Sequence, residues 1–487
     1  MSTPADAFLN LLREQVGAQR VIVDAEPMAP YLQEQRRIYQ GQALAVVQPA
    51  TTAEVAAVVR LCAAHQVPVV PQGGNTGVCG GGVPLDARAV VLSTERLTRI
   101  RHLDADNLTL TAEAGCILAH LQDAAQAAGC FFPLSLGGEG SCRIGGNLST
   151  NAGGINVLRY GNARELMLGL EVVLPDGEIW DGLRALRKDN TGYALRHLFV
   201  GAEGTLGIIT AAVLRLFPYP QHRETAFVAV PSPEAALRVL QRMQRCTADL
   251  LNAFELISRP GLDIGMKNLP GSREPFGERH PWYVLVEASA SADIGLKAMM
   301  DKGLAQSLDC GDVLDAVVAT SESQRSQLWR LREIHAGGHQ WQEGGLIKHD
   351  IAVPVSQTPR MIARATHAAQ AACPGVRVIA FGHMVDGNIH FNMVQPVGMQ
   401  ALDFMARREA LNRIVHDIVD ELGGSVSAEH GIGLLRMQEM ARYKSDAELA
   451  LMWRIKQALD PLGLMNPGKV LPPAAGPGPA TGGPGCP

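Results

Sequence analysis

The chain has 487 residues, a length that predicts two or three domains rather than one core. Its hydrophobic and charged fractions, 47% and 19%, are typical of a globular protein, and a net charge of −5 without a long Lys/Arg block argues against a nucleic-acid partner. No apolar stretch reaches transmembrane length, and nine cysteines without a Cys-x-x-Cys pair favour reduced thiols, so we expect a cytoplasmic location with peripheral membrane attachment left open.

The first 220 residues alternate short strand and helix patterns and are rich in glycine. The run from Thr51 to Glu54 has the Thr-x-x-Glu spacing of a capping box, and apolar residues then recur at helical spacing, which predicts a helix. Further elements are predicted in chain order as strands at 67–70, 89–93 and 108–113, a helix at 118–128, a hairpin of 169–174 with 178–180, and a strand at 206–216.

After residue 220 the pattern changes to longer alternating strands and helices. Helices are predicted at 232–245, 321–332 and 358–372, and an amphipathic helix at 446–460. The end of the chain, 472–487, consists almost entirely of Pro, Gly, Ala and Thr, which predicts a disordered tail.

Three glycine-rich segments lie in the first half: Pro71–Gly77, the stretch from Pro133 to Gly154, and Gly201–Gly207. Glycine lets backbone amides approach a phosphate closely, although any single loop of this kind is also typical of an ordinary turn. Neither the Rossmann fingerprint nor the P-loop pattern occurs. Together the three segments predict a large ligand with a diphosphate, bound mainly by backbone.

Two histidines flank an Asp-Gly pair in the run from Phe381 to Asn392. An Asp-Gly pair between strand-like runs predicts a two-residue hairpin turn. Counting outward from this turn places His383 opposite His390, with Cβ atoms roughly 5 Å apart. Two imidazoles at this spacing can bind one divalent cation.

A third ligand for such a cation has to come from another segment. The glycine-bounded run Ser427–Gly433 offers an acidic residue and a histidine side by side, Glu429 and His430. Two histidines and one carboxylate leave open coordination positions, which is the catalytic pattern for zinc-like metals. The alternative is that these are ordinary polar residues of a hairpin and a loop.

The glycine segments resemble the FAD-binding domain of vanillyl-alcohol-oxidase-type flavoproteins. The runs 382–392, 427–433 and 466–470 narrow the resemblance to the branch that contains D-2-hydroxyglutarate dehydrogenase, FAD-linked D-lactate dehydrogenase and the glycolate oxidase flavin subunit. The resemblance implies an α+β fold with a two-subdomain FAD-binding domain at 1–220 and a substrate or cap domain at 221–440. The cap has an antiparallel sheet with flanking helices, and 441–471 return to the FAD domain.

The resemblance also implies where FAD binds. The first glycine loop has Asn75 and Thr76 where relatives that tether the cofactor have a histidine, so we expect noncovalent FAD. The implied cofactor-binding residues are Pro71, Gln72, Gly73, Gly74, Asn75, Thr76, Gly77, Pro133, Gly138, Ser141, Gly145, Gly146, Asn147, Asn151, Gly153, Gly204, Ile209 and Asn466.

For the acid-binding site, the resemblance implies zinc or a similar divalent metal on His383, His390 and Glu429, with His430 as the catalytic base. Arg332, Lys348 and Asn392 match substrate contacts. The sequence departs from the family pattern at Ala336, where the family has a threonine, and this departure concerns the far end of the substrate.

The implied reaction is oxidation of a D-2-hydroxy acid, with D-2-hydroxyglutarate preferred and D-lactate or glycolate as alternatives. Two other classes of protein remain as alternatives, a flavin oxidase of phenols and a nonenzymatic metal-stabilised protein. A quinone, an electron-transfer flavoprotein or a dye-like molecule is the expected electron acceptor, and a homodimer is a further expectation. We expect neither a nucleic-acid partner nor a transmembrane segment.

Overall fold

A computed structural model describes residues 4–268, 271–335 and 339–473. The predicted disordered tail therefore lies almost wholly outside the described residues, as does Ala336. Among the described helices, none combines the length and apolarity that a membrane crossing requires.

The N-terminal half contains a four-stranded sheet and a five-stranded sheet. Its strands are β1 (Val21–Ile22), β2 (Ala45–Val47), β3 (Val69–Gln72), β4 (Val90–Ser93), β5 (Ile100–Asp104), β6 (Thr109–Glu113), β7 (Cys130–Phe131), β8 (Met167–Val173), β9 (Ile179–Gly182), β10 (Ile208–Arg215) and β11 (Phe217–Pro218). Its helices are α1 (Pro4–Val16), α2 (Ala25–Leu32), α3 (Thr52–Ala64), α4 (Leu118–Ala127), α5 (Ile144–Ser149), α6 (Val157–Tyr160) and α7 (Arg196–Phe199), with a 3-10 turn at Ala18–Arg20.

The first sheet has the order β1-β2-β4-β3, with β2, β4 and β3 parallel, and the second has the antiparallel order β5-β6-β10-β8-β9. Half of the predicted capping box is present at the start of α3: Thr51 Oγ1 accepts the N–H of Glu54, but the Glu54 carboxylate accepts the N–H of Ala50 rather than that of Thr51. The predicted helices and strands of this half are found within one or two residues of the expected bounds.

The second half is organised around one antiparallel sheet of eight strands. These are β12 (His222–Val230), β13 (Leu251–Ser258), β14 (Trp282–Ala290), β15 (Asp315–Val318), β16 (Leu346–Ile347), β17 (Asp350–Ala352), β18 (Arg377–His383) and β19 (Asn388–Val394). The helices are α8 (Pro233–Cys246), α9 (Arg259–Asn268), α10 (Leu296–Asp309), α11 (Glu322–Glu333), α12 (Thr358–Ala372), α13 (Ala401–Met405), α14 (Arg408–Glu421), α15 (Met437–Tyr443) and α16 (Asp446–Leu459), with 3-10 turns at His339–Glu343 and Val355–Gln357.

Helices pack on both faces of the large sheet. Because side chains alternate between the two faces along each strand, one strand contributes to two hydrophobic clusters. In β12, Ala226 and Val228 belong to the cluster formed with α8, α10, α12 and α14, whereas Phe227 and Ala229 belong to the cluster formed with α11. The strand order is β15-β12-β14-β13-β18-β19-β16, and β17 pairs with β19. The α11 face carries the site described below.

The C-terminal segment contacts the N-terminal half. Met465 forms a parallel bridge with Val69, and Lys456 Nζ donates to the carbonyl of Thr205 at 2.7 Å. The domain boundaries themselves stay a prediction.

Candidate functional site

One cavity is lined by all the residues that the sequence predicts to bind the acid, the metal or the transferred proton. It has a volume of about 830 Å³, and loop segments of the N-terminal half at 135–140 and 154–155 form part of its wall. The expected residues that line it are Arg332, Lys348, Asn392, His383, His390, Glu429 and His430. The fold therefore brings these distant positions together.

The hairpin of β18 and β19 has a different register from the predicted one. His390 lies opposite Phe381 rather than His383, and the turn has four residues, so the two-residue turn was wrong. The neighbouring strand explains the difference, because a Cβ at Gly387 would lie 1.8 Å from the carbonyl oxygen of Val353 and the turn packs tightly against it. His383 and His390 nevertheless remain neighbours, with ring centroids 6.2 Å apart.

The carboxylate of Glu429 lies between the two imidazoles. Its Oε1 is 3.6 Å from His383 Nδ1, and its Oε2 is 3.8 Å from His390 Nε2. Both distances are too long for hydrogen bonds, and His383 Nδ1 is buried without a hydrogen-bond partner among the described residues. The Glu429 carboxylate thus lies near both imidazoles, but among the described residues the ligand atoms that lie within 4.8 Å of one another belong to Asp350, His390 and Glu429 and not to His383.

Burial and neighbouring charges set the protonation states of these three groups. Burial lowers the pKa of His390 well below its ordinary value, which keeps the imidazole neutral. The pKa of His383 is raised, because the carboxylates of Glu255 and Glu429 outweigh the effect of burial. Burial raises the pKa of Glu429. A cation placed among them would take the place of these protons.

Asp350, at the start of β17, was not identified from the sequence. Its Oδ2 accepts the backbone N–H groups of Glu429 and His430, each at 3.0 Å, and lies 3.0 Å from His430 Nδ1. Its Oδ1 accepts from Asn388 Nδ2 at 3.0 Å. Ligand atoms of Asp350, His390 and Glu429 lie within 4.8 Å of one another, but these bonds already engage both Asp350 oxygens, so Asp350 orients the 427–433 loop.

Asp350 also fixes the orientation of the His430 imidazole. Burial raises the pKa of Asp350, but His430, Arg436 and His390 outweigh burial, so its pKa lies well below the ordinary value. The ionised carboxylate accepts the Nδ1 hydrogen of His430, which leaves Nε2 as the nitrogen that can take a proton.

Arg332, near the end of α11, is held by a second carboxylate that the sequence did not reveal. Its Nε donates to Glu255 Oε2 at 2.6 Å, and Glu255 Oε1 lies 3.5 Å from His383 Nε2. Arg332 and Glu255 have side chains that are 8% and 1% exposed. The pKa of Glu255 is lowered, because Arg332 and His383 outweigh burial. Nε is engaged and Nη2 lies 3.4 Å from His383 Nε2, so Nη1 is the guanidinium nitrogen that remains for a ligand carboxylate.

Lys348 and Asn392 complete the expected acid contacts. Burial, reinforced by the charge of Arg36, lowers the pKa of Lys348 to about 8. Lys348 Nζ lies 5.6 Å from the ring centroid of Trp341. Asn392 Nδ2 donates to Gln340 Oε1 at 2.8 Å, and the buried Oδ1 of Asn392 has no hydrogen-bond partner among the residues described. Both side chains therefore offer polar atoms to a bound molecule.

A second cavity is lined by the glycine segments. Of the expected cofactor residues, those in its wall are Pro71, Gln72, Gly73, Gly74, Asn75, Thr76, Gly77, Gly145, Gly146, Asn147, Gly204 and Ile209. A Cβ built at Gly77 or Gly146 would meet open space, and the buried Oδ1 of Asn147 is without a hydrogen-bond partner in the described chain. Open backbone and an unpaired polar atom fit a large cofactor with a diphosphate.

Six expected cofactor residues line neither cavity: Pro133, Gly138, Ser141, Asn151, Gly153 and Asn466. Asn466 instead donates from Nδ2 to the carbonyls of Gly81 and Glu203, at 3.0 and 2.7 Å. A Cβ at Gly153 would lie 3.5 Å from Glu429 Oε1. Asn466 thus connects two segments around the cavities, and Gly153 lies close to the carboxylate of Glu429.

Glu203 links the cofactor cavity to the 427–433 loop. Its carboxylate accepts the N–H of Ile432 at 2.7 Å and the N–H of Gly433 at 2.9 Å. Burial raises its pKa. The loop that carries Glu429 and His430 is therefore anchored from both sides, by Glu203 and by Asp350.

A sequence signal for the carboxylates Glu255 and Glu287 exists, because each interrupts an otherwise apolar strand, β13 or β14. Glu287 Oε2 accepts from Trp329 Nε1 at 2.7 Å and from Arg325 Nε at 2.8 Å, and so fixes α11 on the sheet. An acidic residue within a buried apolar run predicts a buried partner, which here is α11 in both cases.

Comparison with known proteins identifies the chain as an FAD-binding oxidoreductase. We call the cavity of about 830 Å³ the acid-binding cavity, after the role expected of its residues. The FAD binding domain family model matches residues 43–182, and that of the FAD linked oxidases, C-terminal domain, matches 219–470. The chain belongs to the FAD-linked oxidases and groups with relatives named D-2-hydroxyglutarate dehydrogenase.

Two of these relatives show the extent of the similarity. The D-2-hydroxyglutarate dehydrogenase of Xanthomonas citri pv. viticola is 38% identical over 94% of this chain and 96% of its own length. The mitochondrial D-2-hydroxyglutarate dehydrogenase of Bos taurus is 36% identical over 94% of this chain and 82% of its own length.

Solved structures confirm the predicted fold class. Substrate-bound p-cresol methylhydroxylase superposes with a TM-score of 0.74 at 16% identity, covering 96% of this chain and 97% of that one. Alkyldihydroxyacetonephosphate synthase superposes with a TM-score of 0.72 at 18% identity, covering 96% and 86%. At these identities the likeness concerns the fold alone.

Proposed function

We propose that the protein oxidises a D-2-hydroxy acid, with D-2-hydroxyglutarate as the preferred substrate, to the 2-oxo acid. The observation that carries this proposal is that His430 lines both the glycine-lined cavity and the acid-binding cavity. A base in this position can reach a substrate hydroxyl while the reacting carbon faces the cofactor.

In the proposed reaction, the guanidinium of Arg332 binds the C1 carboxylate through a charge-assisted hydrogen bond from Nη1. His430 takes the hydroxyl proton on Nε2, and Asp350 stabilises the imidazolium that forms. When bound, FAD supplies the acceptor for the hydride that leaves C2. Asn392 offers its unpaired Oδ1 to the bound acid.

We assign the divalent metal to His383, His390 and Glu429, with zinc as the first choice for this donor set. A metal there supplies Lewis acidity toward the substrate hydroxyl. Glu255, next to Nε2 of His383, sets the direction of that imidazole.

The proposal is tested by mixing the purified protein anaerobically with D-2-hydroxyglutarate, L-2-hydroxyglutarate, D-lactate and glycolate, and following flavin bleaching. We expect the D-diacid to bleach the flavin fastest. Faster bleaching by D-lactate or glycolate would instead make the protein a dehydrogenase of that acid, and no bleaching by any 2-hydroxy acid would refute the proposal.

The electron acceptor, the homodimer and the cytoplasmic location stay predictions. The electron acceptor is identified by measuring how fast the reduced flavin is reoxidised by a quinone, by an electron-transfer flavoprotein and by a dye. These experiments start from the reduced flavin that the previous test provides.

A further inference from the structure

The acid-binding cavity contains cations that have no carboxylate partner. Arg36, Lys348 and Arg408 line it, and within the described part of the chain none of the three forms an ion pair within 4 Å. Arg332, in contrast, is paired with Glu255. The exposed side chain of Trp341 lines the same cavity, with its ring centroid 5.6 Å from Lys348 Nζ.

Arg36 reaches this cavity from the N-terminal half, on a loop that is held in place by a buried acid. The carboxylate of Glu34, a residue that is 2% exposed, accepts the backbone N–H groups of Arg36, Ile38 and Tyr39. These bonds use backbone atoms only, so the Arg36 side chain is not needed to build the loop. Its guanidinium remains free to bind a ligand.

The charge of Arg36 acts on Lys348. Burial lowers the pKa of Arg36, and burial together with Arg36 lowers the pKa of Lys348. The carboxylates of Glu34 and Asp350 offset part of the effect of burial on Arg36, and an anion between Arg36 and Lys348 would stabilise both charges further. The site is therefore built for a negatively charged group.

We propose that Arg36, together with Lys348, binds the distal carboxylate of a dicarboxylic 2-hydroxy acid and so determines which substrate class the site accepts. This inference rests on the proposed function, in which Arg332 binds the carboxylate next to the hydroxyl. One arginine from each half of the chain then holds one end of the substrate. The corresponding monocarboxylic acid, which lacks the distal carboxylate, would make no ionic contact with Arg36 and Lys348.

The test compares Arg36→Gln with the parent FAD-loaded protein, using D-2-hydroxyglutarate and D-2-hydroxybutyrate as substrates. Loss of a charged hydrogen bond should lower the ratio of the two kcat/KM values, diacid over monoacid, by roughly tenfold to hundredfold. Arg36→Lys should retain most of the ratio. Arg37→Gln is the matched control, since Arg37 is exposed, lies outside the cavity wall and removes the same charge.

A binding measurement separates this inference from the proposed function. Binding of 2-oxoglutarate and of 2-oxobutyrate to the oxidised protein is followed by the change in flavin absorbance, and Arg36→Gln should weaken only the former. If no 2-hydroxy acid reduces the parent flavin, the proposed function fails, and the ratio of the two binding constants still tests Arg36. An equal effect on diacid and monoacid, or no effect on either, would overturn the role of Arg36.

Discussion

The carboxylate of Asp350 lies 3.0 Å from Nδ1 of His430, and the same oxygen accepts the backbone N–H of His430. One buried group thus fixes both the backbone and the ring of the proposed base. The position of Asp350 on β17, which pairs with β19, ties this base to the strand that carries His390.

Replacement of Asp350 by asparagine should slow flavin reduction at saturating substrate by about 10²–10⁴-fold, because the imidazolium loses its counter-charge. FAD absorbance should persist, since Asp350 lies outside the wall of the cofactor cavity. Stopped-flow spectroscopy measures both quantities, with the exposed Asp420→Asn as control. An unchanged reduction rate in Asp350→Asn would show that His430 needs no partner at Nδ1.

Glu287 should stabilise the folded protein at neutral pH, and this stabilisation should be lost at low pH. The pKa of Glu287 is lowered, because Arg325, Trp329 and other donors outweigh burial. A lowered pKa gives stabilisation that is present above the unfolded value of about 4.3 and is lost as pH falls through the folded value. We expect Glu287→Gln to lower the free energy of unfolding at pH 7 by roughly 1–3 kcal/mol.

The difference in free energy of unfolding between Glu287→Gln and the parent should shrink below about pH 4. Chemical denaturation at a series of pH values measures this difference. The control is Glu322→Gln, which removes the exposed partner of the same arginine, Arg325. An exposed pair of this kind contributes little. If the difference in free energy of unfolding between Glu287→Gln and the parent stays constant down to pH 3, the stabilising role of the ionised Glu287 is contradicted.

The fold was predictable because its signals are local. A helix N-cap at Thr51, short strand patterns and glycine loops each specify short-range geometry, and the structure contains them at the expected places. The hairpin register was not predictable from the Asp-Gly pair, because β17 and Val353 fix that turn from a distant part of the chain. Register depends on the packing of a neighbouring strand as well as on the turn.

The site was predictable only as far as its motifs extend. His383 and His390 share one motif and Glu429 and His430 another, so the sequence placed them together. Glu255, Glu203 and Asp350 stand alone in strands or loops, and their roles come from partners far away in sequence, up to 230 residues for Glu203. Such carboxylates are found when the fold shows which backbone amides and cations surround them.

Removal of the metal should abolish turnover and leave FAD bound. Chelation followed by gel filtration and metal analysis should give a yellow protein that D-2-hydroxyglutarate does not bleach. Zinc added back should restore bleaching, and Glu429→Gln should weaken the retention of zinc. Full activity in a rigorously metal-free preparation would refute the metal assignment.

FAD should be released by acid precipitation, at about one flavin per chain. Cys79 and Cys142 are thiols in the wall of the cofactor cavity; burial raises the pKa of Cys79 to about 11 and also raises the pKa of Cys142. A thiol that stays protonated at neutral pH is a poor nucleophile for tethering a flavin. Flavin absorbance that remains with the precipitated protein would contradict noncovalent binding.

The affinity for a dicarboxylic acid should fall as pH rises through about 8, the pKa to which burial and Arg36 lower Lys348. Below this pH Lys348 carries its charge, and a bound carboxylate raises its pKa, so binding takes up a proton at higher pH. The apparent binding constant for 2-oxoglutarate should then weaken by up to about tenfold per pH unit above 8, whereas 2-oxobutyrate should show no such dependence. Lys348→Arg should abolish the dependence, because arginine keeps its charge across this range. The same pH profile for both acids, or for the parent and Lys348→Arg, would show that another group titrates.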